Sequence, residues 1–253
     1  MLRAVISLES VTKTFLDGEG RETPAVAGVS LAVRTGETIA LIGTSGSGKT
    51  TILKMINRLE DPTDGTVSVD GRDVRGVDPI RHRRGIGYVV QRGGLLPHLS
   101  VARNVGLLGP LEGWDAGRVR ARADELLQLV NLDPATYADR LPSSLSGGQR
   151  QRVGVARSLF LDPPIVLLDE PFGALDPITR RQVRDEFKEL RATLGKTVVL
   201  VTHDMNEAFD VADRVALVDD GRLLQVGTEE EFRARPASSV VERFLEAHFG
   251  SRS

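Results

Sequence analysis

A glycine-rich segment, placed between a short apolar run and a helical pattern, constrains this chain more than any other feature. Thr38–Ile42 predicts a buried strand, and apolar residues recur at helical spacing from Thr50 onward. The segment between them, Gly-Thr-Ser-Gly-Ser-Gly-Lys-Thr at 43–50, matches the pattern G-x-x-x-x-G-K-[ST]. A glycine-rich loop between a strand and a helix is typical of phosphate-binding sites, in which backbone N–H groups surround the phosphate oxygens.

The segment therefore predicts a site for a nucleoside triphosphate. Lys49 would reach the β- and γ-phosphates, and the Thr50 hydroxyl would bind Mg²⁺. The alternative is an ordinary glycine-rich turn, which the flanking strand and helix disfavour. The residues predicted to contact the nucleotide here are Gly43, Thr44, Ser45, Gly46, Ser47, Gly48, Lys49, Thr50 and Thr51.

A second segment predicts chemistry on the same substrate. Residues 165–168 form a short apolar run, typical of a buried strand, that ends in Asp169 and Glu170. Asp169 is predicted to hold Mg²⁺, and Glu170 to polarise the attacking water as a general base. A strand that ends in acidic residues is weak evidence alone, but it is strong evidence in a chain that also carries the phosphate loop.

A third segment, Leu-Ser-Gly-Gly-Gln at 145–149, opens a predicted helix. Glycine is unfavourable there, because it costs about 0.5–1 kcal/mol relative to alanine inside a helix. A serine N-cap followed by exposed N–H groups at a positive helix end predicts a second anion site. The alternative is a simple turn before the helix.

These motifs together resemble the ATP-binding cassette ATPases, over nearly the whole chain. Residues 145–149 match the signature sequence of that family, and 15 residues separate it from the strand that begins at Ile165, as in the family. The alternation of strands and helices independently predicts a mostly parallel α/β core. The resemblance implies a P-loop NTPase core, an N-terminal antiparallel β subdomain and an inserted α-helical subdomain. It also implies one nucleotide-binding domain over 1–253, with the helical part at about 91–160.

The resemblance assigns roles to further residues. Gln91 matches the glutamine loop, which contacts Mg²⁺ and the attacking water, and His203 matches the switch histidine. Asp176 matches the D-loop, and Phe15 matches the aromatic residue that stacks on adenine. A turn histidine and a core phenylalanine are the alternatives for His203 and Phe15. The signature residues would bind the γ-phosphate of an ATP held by a second copy of the chain: Ser146, Gly147, Gly148 and Gln149.

Composition excludes several other classes of protein. The chain has 253 residues, with 33 Lys and Arg against 35 Asp and Glu, and therefore lacks the basic excess of a nonspecific nucleic-acid binder. It has no cysteine, which excludes disulfides and thiolate metal sites. No apolar run approaches the roughly 20 residues that span a bilayer. We expect a protein without a signal peptide, placed at the cytoplasmic face of a membrane by docking onto a membrane partner.

The resemblance also implies cofactors and partners. ATP and Mg²⁺ are the expected cofactors. The expected partners are a second copy of the chain, a separate transmembrane permease, and a periplasmic or extracellular substrate-binding protein. Residues 42–49 with 53–59, residues 85–91 with 94–104, and residues 171–180 are similar to ATPases of glycine betaine, choline and carnitine uptake. An importer of an amino acid, phosphate or lipid is the alternative.

The permease is predicted to dock near residues 91–99. Leu95 and Leu96 lie beside glycine and proline after Gln91, which favours a groove for a short permease helix. The alternative is that the two leucines pack inside the helical subdomain.

Overall fold

The computed structural model describes residues 4–16, 18, 20–91, 94–173 and 175–249. The chain folds into two compact units, one formed by residues 1–83 with 197–253 and the other by residues 84–196. Within the described residues, no helix combines the length and the apolar content needed to cross a membrane.

The strands and helices are, in chain order, β1 Ala4–Leu16, β2 Glu22–Arg34, β3 Thr38–Ile42, α1 Lys49–Ile56, β4 Asp64–Val69, β5 Arg72–Asp73, α2 Pro79–Arg84, β6 Ile86–Val89, α3 Val101–Val105, α4 Ala116–Leu129, α5 Pro134–Tyr137, α6 Gly147–Ser158, β7 Ile165–Asp169, α7 Pro177–Leu194, β8 Thr197–Val201, α8 Met205–Val211, β9 Arg214–Asp219, β10 Arg222–Gly227, α9 Glu229–Ala234 and α10 Ser239–Phe249.

The first unit contains an antiparallel sheet in the order β2-β1-β4-β5. In its central pair, Leu8 of β1 lies opposite Leu31 of β2. A weak alternation at residues 3–11 predicts a first strand, and β1 runs farther, to Leu16. Register shifts near Ser10, whose φ is +48°, interrupt the alternation and hide the second half of the strand. The antiparallel N-terminal subdomain that the resemblance implied is confirmed.

The first unit also contains strands in the order β10-β9-β3-β8, where β3 is parallel to both neighbours and β10 is antiparallel to β9. All five residues of β3 and all five of β8 are buried. Parallel strands are covered on both faces, which explains why these two strands are continuous apolar runs rather than alternating ones. Helix α1 begins seven residues beyond the carboxyl end of β3, so the phosphate loop lies at this edge.

Among its described residues, the second unit combines a parallel strand pair with five α-helices. Tyr88 of β6 lies opposite Leu167 of β7. Helix α6 packs closely on β6, since a Cβ on Gly87 would lie 2.5 Å from the Ser158 carbonyl oxygen. Trp114 packs against buried Phe160, with ring centroids 5.2 Å apart. The helices of this unit are α3, α4, α5, α6 and α7.

Long periodic patterns and continuous aliphatic runs predict their elements, whereas other short segments do not. Apolar periodicity predicts helices at 116–131, 146–160 and 177–194, and these are α4, α6 and α7. The described part of 90–160 contains no strand, as expected. Strand β6 and helices α2, α3, α5 and α9 were missed, because each has only four to six residues and none is an aliphatic run like that of β7. Asp17-Gly18-Glu19-Gly20 predicts a turn, but positions 17 and 19 lie outside the described residues.

Candidate active site

The phosphate loop of the first unit is organised around a buried ammonium group. Lys49 is 6% exposed, and its Nζ donates to the carbonyl oxygens of Gly43 at 3.0 Å and Thr44 at 2.6 Å and to Ser47 Oγ at 3.1 Å. Lys49 also opens helix α1, so the positive end of the helix dipole adds to its charge. The loop therefore presents positive potential to an incoming anion.

Two glycines of this loop are required by close backbone contacts. Gly43 has φ +146°, and a Cβ there would lie 1.9 Å from the Val218 carbonyl oxygen. Gly48 has φ +98°, and a Cβ there would lie 2.2 Å from the Ala25 carbonyl oxygen. Real Cβ atoms do not approach backbone this closely, and positive φ is also strained for other residues. Backbone of β2 and β9 thus sets the shape of the loop.

Hydrogen bonds also hold the phosphate loop against the turn between β9 and β10. The Gly221 N–H donates to the Ser47 carbonyl at 3.2 Å, and the Ala27 N–H donates to the Gly221 carbonyl at 2.8 Å. Thr44 Oγ1 donates to Asp219 Oδ1 at 3.2 Å. By contrast, Thr44, Ser45 and Gly46 are exposed, and Thr50 and Thr51 are half-buried. The loop is fixed on its inner side and open to solvent at its tip.

The first unit holds two other predicted site residues. Phe15 lies near the end of β1 and is 38% exposed, with Lys13 Nζ 4.9 Å from its ring centroid. An exposed ring face of this kind can stack on a nucleobase. His203 is exposed and follows β8, two positions before α8. The core alternative for Phe15 does not hold, because the ring is exposed.

In the second unit, strand β7 delivers the two predicted carboxylates. Asp169 is 4% exposed and accepts a hydrogen bond from the Tyr88 hydroxyl of β6. Burial, and then the neighbouring Asp169 carboxylate, raises the pKa of Tyr88 to about 12. Tyr88 therefore remains a protonated donor at neutral pH and orients Asp169. Sequence reasoning gave Tyr88 no role, although its place in a strand beside β7 was a usable signal.

Glu170 sits directly after β7 in a strained conformation, with φ +46°. Gln91 Nε2 donates to Glu170 Oε2 at 2.9 Å, so residues 79 positions apart meet. The Gly173 N–H donates to the Glu170 carbonyl at 3.3 Å, which closes a turn beneath the side chain. Left-handed backbone at a residue other than glycine is costly and tends to occur at functional sites. The structure thus brings two predicted site residues together.

The signature residues form the start of α6 in the second unit. Ser146 is an exposed N-cap whose Oγ accepts from the Gln149 N–H at 3.2 Å, while Gln149 Oε1 accepts from the Ser146 N–H at 2.8 Å. Gln149 Nε2 also donates to the Tyr137 hydroxyl at 3.0 Å. A hydroxyl can accept and donate at once, so Ser146 can cap the helix and still donate its proton to an anion.

Asp176 caps α7 beside the signature. Its Oδ1 accepts from the Thr179 N–H at 3.1 Å, and the hydrogen bonds from Thr179 lower the pKa of Asp176 below its ordinary value. A Cβ on Gly148 would lie 2.6 Å from Thr179 Cγ2. The starts of α6 and α7 therefore pack tightly, a contact that the sequence did not reveal. Ala174, the first residue of the predicted D-loop 174–176, lies outside the described residues.

The donors available for a divalent cation are oxygen atoms. The described ranges contain no cluster of three or more His, Asp or Glu side chains that could hold a metal alone. Mg²⁺ at nucleotide sites is typically held by one or two protein oxygens together with substrate phosphates and water. The Thr50 hydroxyl in the first unit and the Asp169 carboxylate in the second, which accepts a hydrogen bond from Tyr88, each offer an oxygen of the kind that Mg²⁺ prefers.

Comparison with known proteins gives consistent matches. A family model described as ABC transporter matches residues 26–173. The glycine betaine/carnitine/choline transport ATP-binding protein OpuCA of Bacillus subtilis is 47% identical over 241 residues, which are 95% of this chain and 62% of that protein. The methionine import ATP-binding protein MetN of Caulobacter vibrioides is 44% identical over 244 residues, which are 95% of this chain and 72% of that protein. The chain thus spans about three fifths of the length of the osmoprotectant relative.

A solved structure matches the fold. It is the ATP-binding cassette MJ0796, in a dimeric post-hydrolysis state bound to ADP and Pi, with a TM-score of 0.80 and 37% identity. The match covers 88% of this chain and 98% of that one. The motifs, the α/β architecture and these matches agree, and the chain belongs to the ABC transporter family.

Proposed function

We propose that this chain hydrolyses ATP to ADP and phosphate and thereby drives an importer. The observation that carries the proposal is the hydrogen bond from Gln91 Nε2 to Glu170 Oε2 at 2.9 Å. Glu170 follows directly after β7, the strand that ends in Asp169. A carboxylate held in a strained turn by a neighbouring amide is suited to align one water molecule for attack. The buried Lys49 of the phosphate loop supports the same chemistry.

In the proposed reaction, residues 43–51 hold the phosphates and Phe15 stacks on the adenine. Thr50, Gln91 and Asp169 would hold Mg²⁺, and the bound cation would neutralise charge on the phosphates. Glu170 accepts a proton from the attacking water, and His203 donates a hydrogen bond to the γ-phosphate. Lys49 stabilises the charge that develops on the phosphate oxygens in the transition state.

The complete site is proposed to need a second copy of the chain. Ser146 and the N–H groups at the start of α6 are positioned to cap an anion, and Ser146 is exposed. In the proposed dimer, residues 146–149 of one copy bind the γ-phosphate held by the loop of the other, and Asp176 lies at the interface. The dimeric state of the similar cassette supports this assembly.

The proposed cargo is a quaternary-amine osmoprotectant of the glycine betaine, choline or carnitine type. Relatives named for these substrates support the proposal. The methionine relative is nearly as similar, so an importer of an amino acid remains the second candidate. A transmembrane permease and an external binding protein complete the proposed system. The chain then lies at the cytoplasmic face, with the permease docked near residues 91–99.

Glu170→Gln tests the proposed chemistry. The substitution keeps the size of the side chain but removes the base, so turnover should fall at least about 100-fold while ATP affinity changes only a few-fold. Glu189→Gln makes the same change at an exposed position of α7 and is the matched control. Steady-state hydrolysis and binding of a fluorescent ATP analogue measure the two quantities. Turnover of Glu170→Gln equal to that of Glu189→Gln would contradict the assignment.

The cargo is tested by uptake in the native host. Disrupting the gene for this chain should abolish high-affinity uptake of radiolabelled glycine betaine, choline or carnitine and should leave methionine uptake unchanged. Loss of methionine uptake alone would favour the second candidate, without affecting the proposed ATPase activity.

A further inference from the structure

The segment that follows Gln91 is held in place by side chains of two different helices. Residues 94–99, named here the docking segment, contain the two leucines predicted to meet a permease. Both Leu95 and Leu96 are half-buried, while Gly94, Pro97 and His98 are exposed. The segment is thus neither packed inside the unit nor wholly free in solvent.

Asn104 of α3 holds the later part of the docking segment. Its side chain is fully buried, and Oδ1 accepts from the Leu96 N–H at 2.7 Å. Its Nδ2 lies 3.0 Å from the carbonyl of Leu96, 2.9 Å from that of Leu99 and 3.1 Å from that of Ser100. A buried amide whose oxygen and nitrogen are both hydrogen-bonded is costly to displace, because displacement leaves buried polar atoms without partners. This part of the segment therefore moves with α3.

Arg157 of α6 holds the first residue of the docking segment. Its Nη1 donates to the Gly94 carbonyl at 2.8 Å. Gly94 has φ +53°, and a Cβ there would lie 2.4 Å from Val90 Cγ2, so this turn is specific to glycine. Burial lowers the pKa of the half-buried Arg157 below its ordinary value.

Arg157 and Ser146 lie at opposite ends of the same helix. Eleven positions separate them in α6, or about 16 Å at the rise of an α-helix. A helix this short, capped at its N-terminus by Ser146 and Gln149, behaves as a rigid rod. Arg157 and α6 thus form a continuous connection from the Gly94 carbonyl to the signature residues.

We propose that Arg157 is a positioning residue that locks the docking segment onto the signature helix α6 through the Gly94 carbonyl. Given the docking proposed above, a permease that displaces residues 94–99 displaces Ser146 with them, so the lock couples transport to closure of the ATP site. Arg157 is not among the residues assigned a role in the proposed hydrolysis.

The lock is tested in the isolated chain by spin-label distances. The chain has no cysteine, so His98→Cys and Ser143→Cys place two labels at exposed positions, one in the docking segment and one before α6. The distribution of distances between the two labels should be narrow when Arg157 is present. It should be broad in Arg157→Met, which keeps an unbranched apolar side chain but loses the guanidinium that binds the Gly94 carbonyl. Amide hydrogen exchange at residues 94–99 should become about tenfold faster in Arg157→Met, because a hydrogen bond from a charged donor is lost.

Two further variants keep the test decisive. Arg103→Met removes the same charge from an exposed position of α3 and should change neither the distances nor the exchange. Arg157→Lys keeps the charge but not the planar fork, and should give intermediate values even if Arg157→Met folds poorly. Basal ATPase activity of each variant should stay within about twofold of the parent, because the site residues are unchanged. Unaltered distances and exchange in both Arg157 variants would overturn the proposal.

Failure of the lock and failure of the proposed docking give different results. Cross-linking from His98→Cys to a permease loop in native membranes reports docking alone, and the spin-label distances report the lock alone. A cross-link with distances unaffected by Arg157→Met overturns the lock and leaves the docking. Distances that depend on Arg157 without any cross-link support the lock and contradict the docking.

Discussion

The phosphate loop and the signature segment are both glycine-rich turns at the head of a helix, yet they are held in different ways. In the phosphate loop, glycines touch the backbone of neighbouring strands, and Lys49 is buried on three acceptors of the loop itself. In the signature segment, the side chains of Ser146 and Gln149 cap each other, and Gly148 faces a side-chain methyl group of Thr179.

The two segments therefore differ in how much of an anion site each one carries by itself. The phosphate loop contains its own cation and is held by the backbone of neighbouring strands. The signature segment carries no side-chain cation among residues 145–149 and leaves Ser146 exposed. It has a capped helix end suited to an anion, but any positively charged side chain at the anion must come from outside residues 145–149.

Gly43→Ala should have the largest effect, because the obstacle is backbone. A Cβ there would lie 1.9 Å from the Val218 carbonyl oxygen. We expect about 3–5 kcal/mol lower unfolding free energy, from strain at positive φ together with the overlap, and loss of ATP binding. Urea unfolding and binding of a fluorescent ATP analogue measure these effects. Gly46→Ala is the matched control, because it also has positive φ but nothing lies within 4 Å of its Cβ. Equal losses in the two variants would show that the collision is unimportant.

Gly148→Ala should have an intermediate effect that a second substitution relieves. Its Cβ would lie 2.6 Å from Thr179 Cγ2, which costs about 1–3 kcal/mol of unfolding free energy. Thr179→Ser deletes that methyl group, so the double variant should recover at least half of the loss. Thermal unfolding of the two single variants and the double variant gives the coupling energy. Strictly additive losses would mean that the tight contact with α7 does not limit Gly148.

The smallest effect concerns the charge on the cap of α7. The pKa of Asp176 is lowered by its hydrogen bonds with Thr179, so its stabilising contribution is present above its unfolded pKa and is lost as pH falls through the lower folded pKa. Asp176→Asn keeps a good N-cap without a titrating group. The unfolding free energy of the parent should therefore fall slightly more than that of Asp176→Asn between about pH 5 and pH 2.

The serine cap of α6 provides the contrast for this prediction. Ser146 does not titrate, so Ser146→Ala should lower stability by a similar amount at every pH in that window. Urea unfolding at several pH values measures both caps. A difference between parent and Asp176→Asn that is constant from pH 7 to pH 2 would contradict a role for the Asp176 charge.

Much of the fold was predictable where a pattern is long or chemically specific. The eighteen-residue periodicity of α7 set both of its ends, and the apolar run of β3 predicted a strand buried on both faces. The segment at 43–50 predicted a strand–loop–helix unit, because three glycines followed by Lys49 and Thr50 match the specific spacing of a phosphate-binding loop. Short elements such as β6 gave no such signal.

The order of amino acids establishes which chemical groups this protein can use and the local backbone that presents them: Lys49 at the head of α1, Ser146 at the head of α6, and Glu170 beyond β7. Which of these groups meet depends on how the elements pack. Gln91 reaches Glu170, Tyr88 orients Asp169, and Arg157 holds Gly94. The physical reason is that periodicity and turn chemistry report the geometry of neighbouring residues, whereas contacts between distant residues depend on how completed elements pack, which no local pattern encodes.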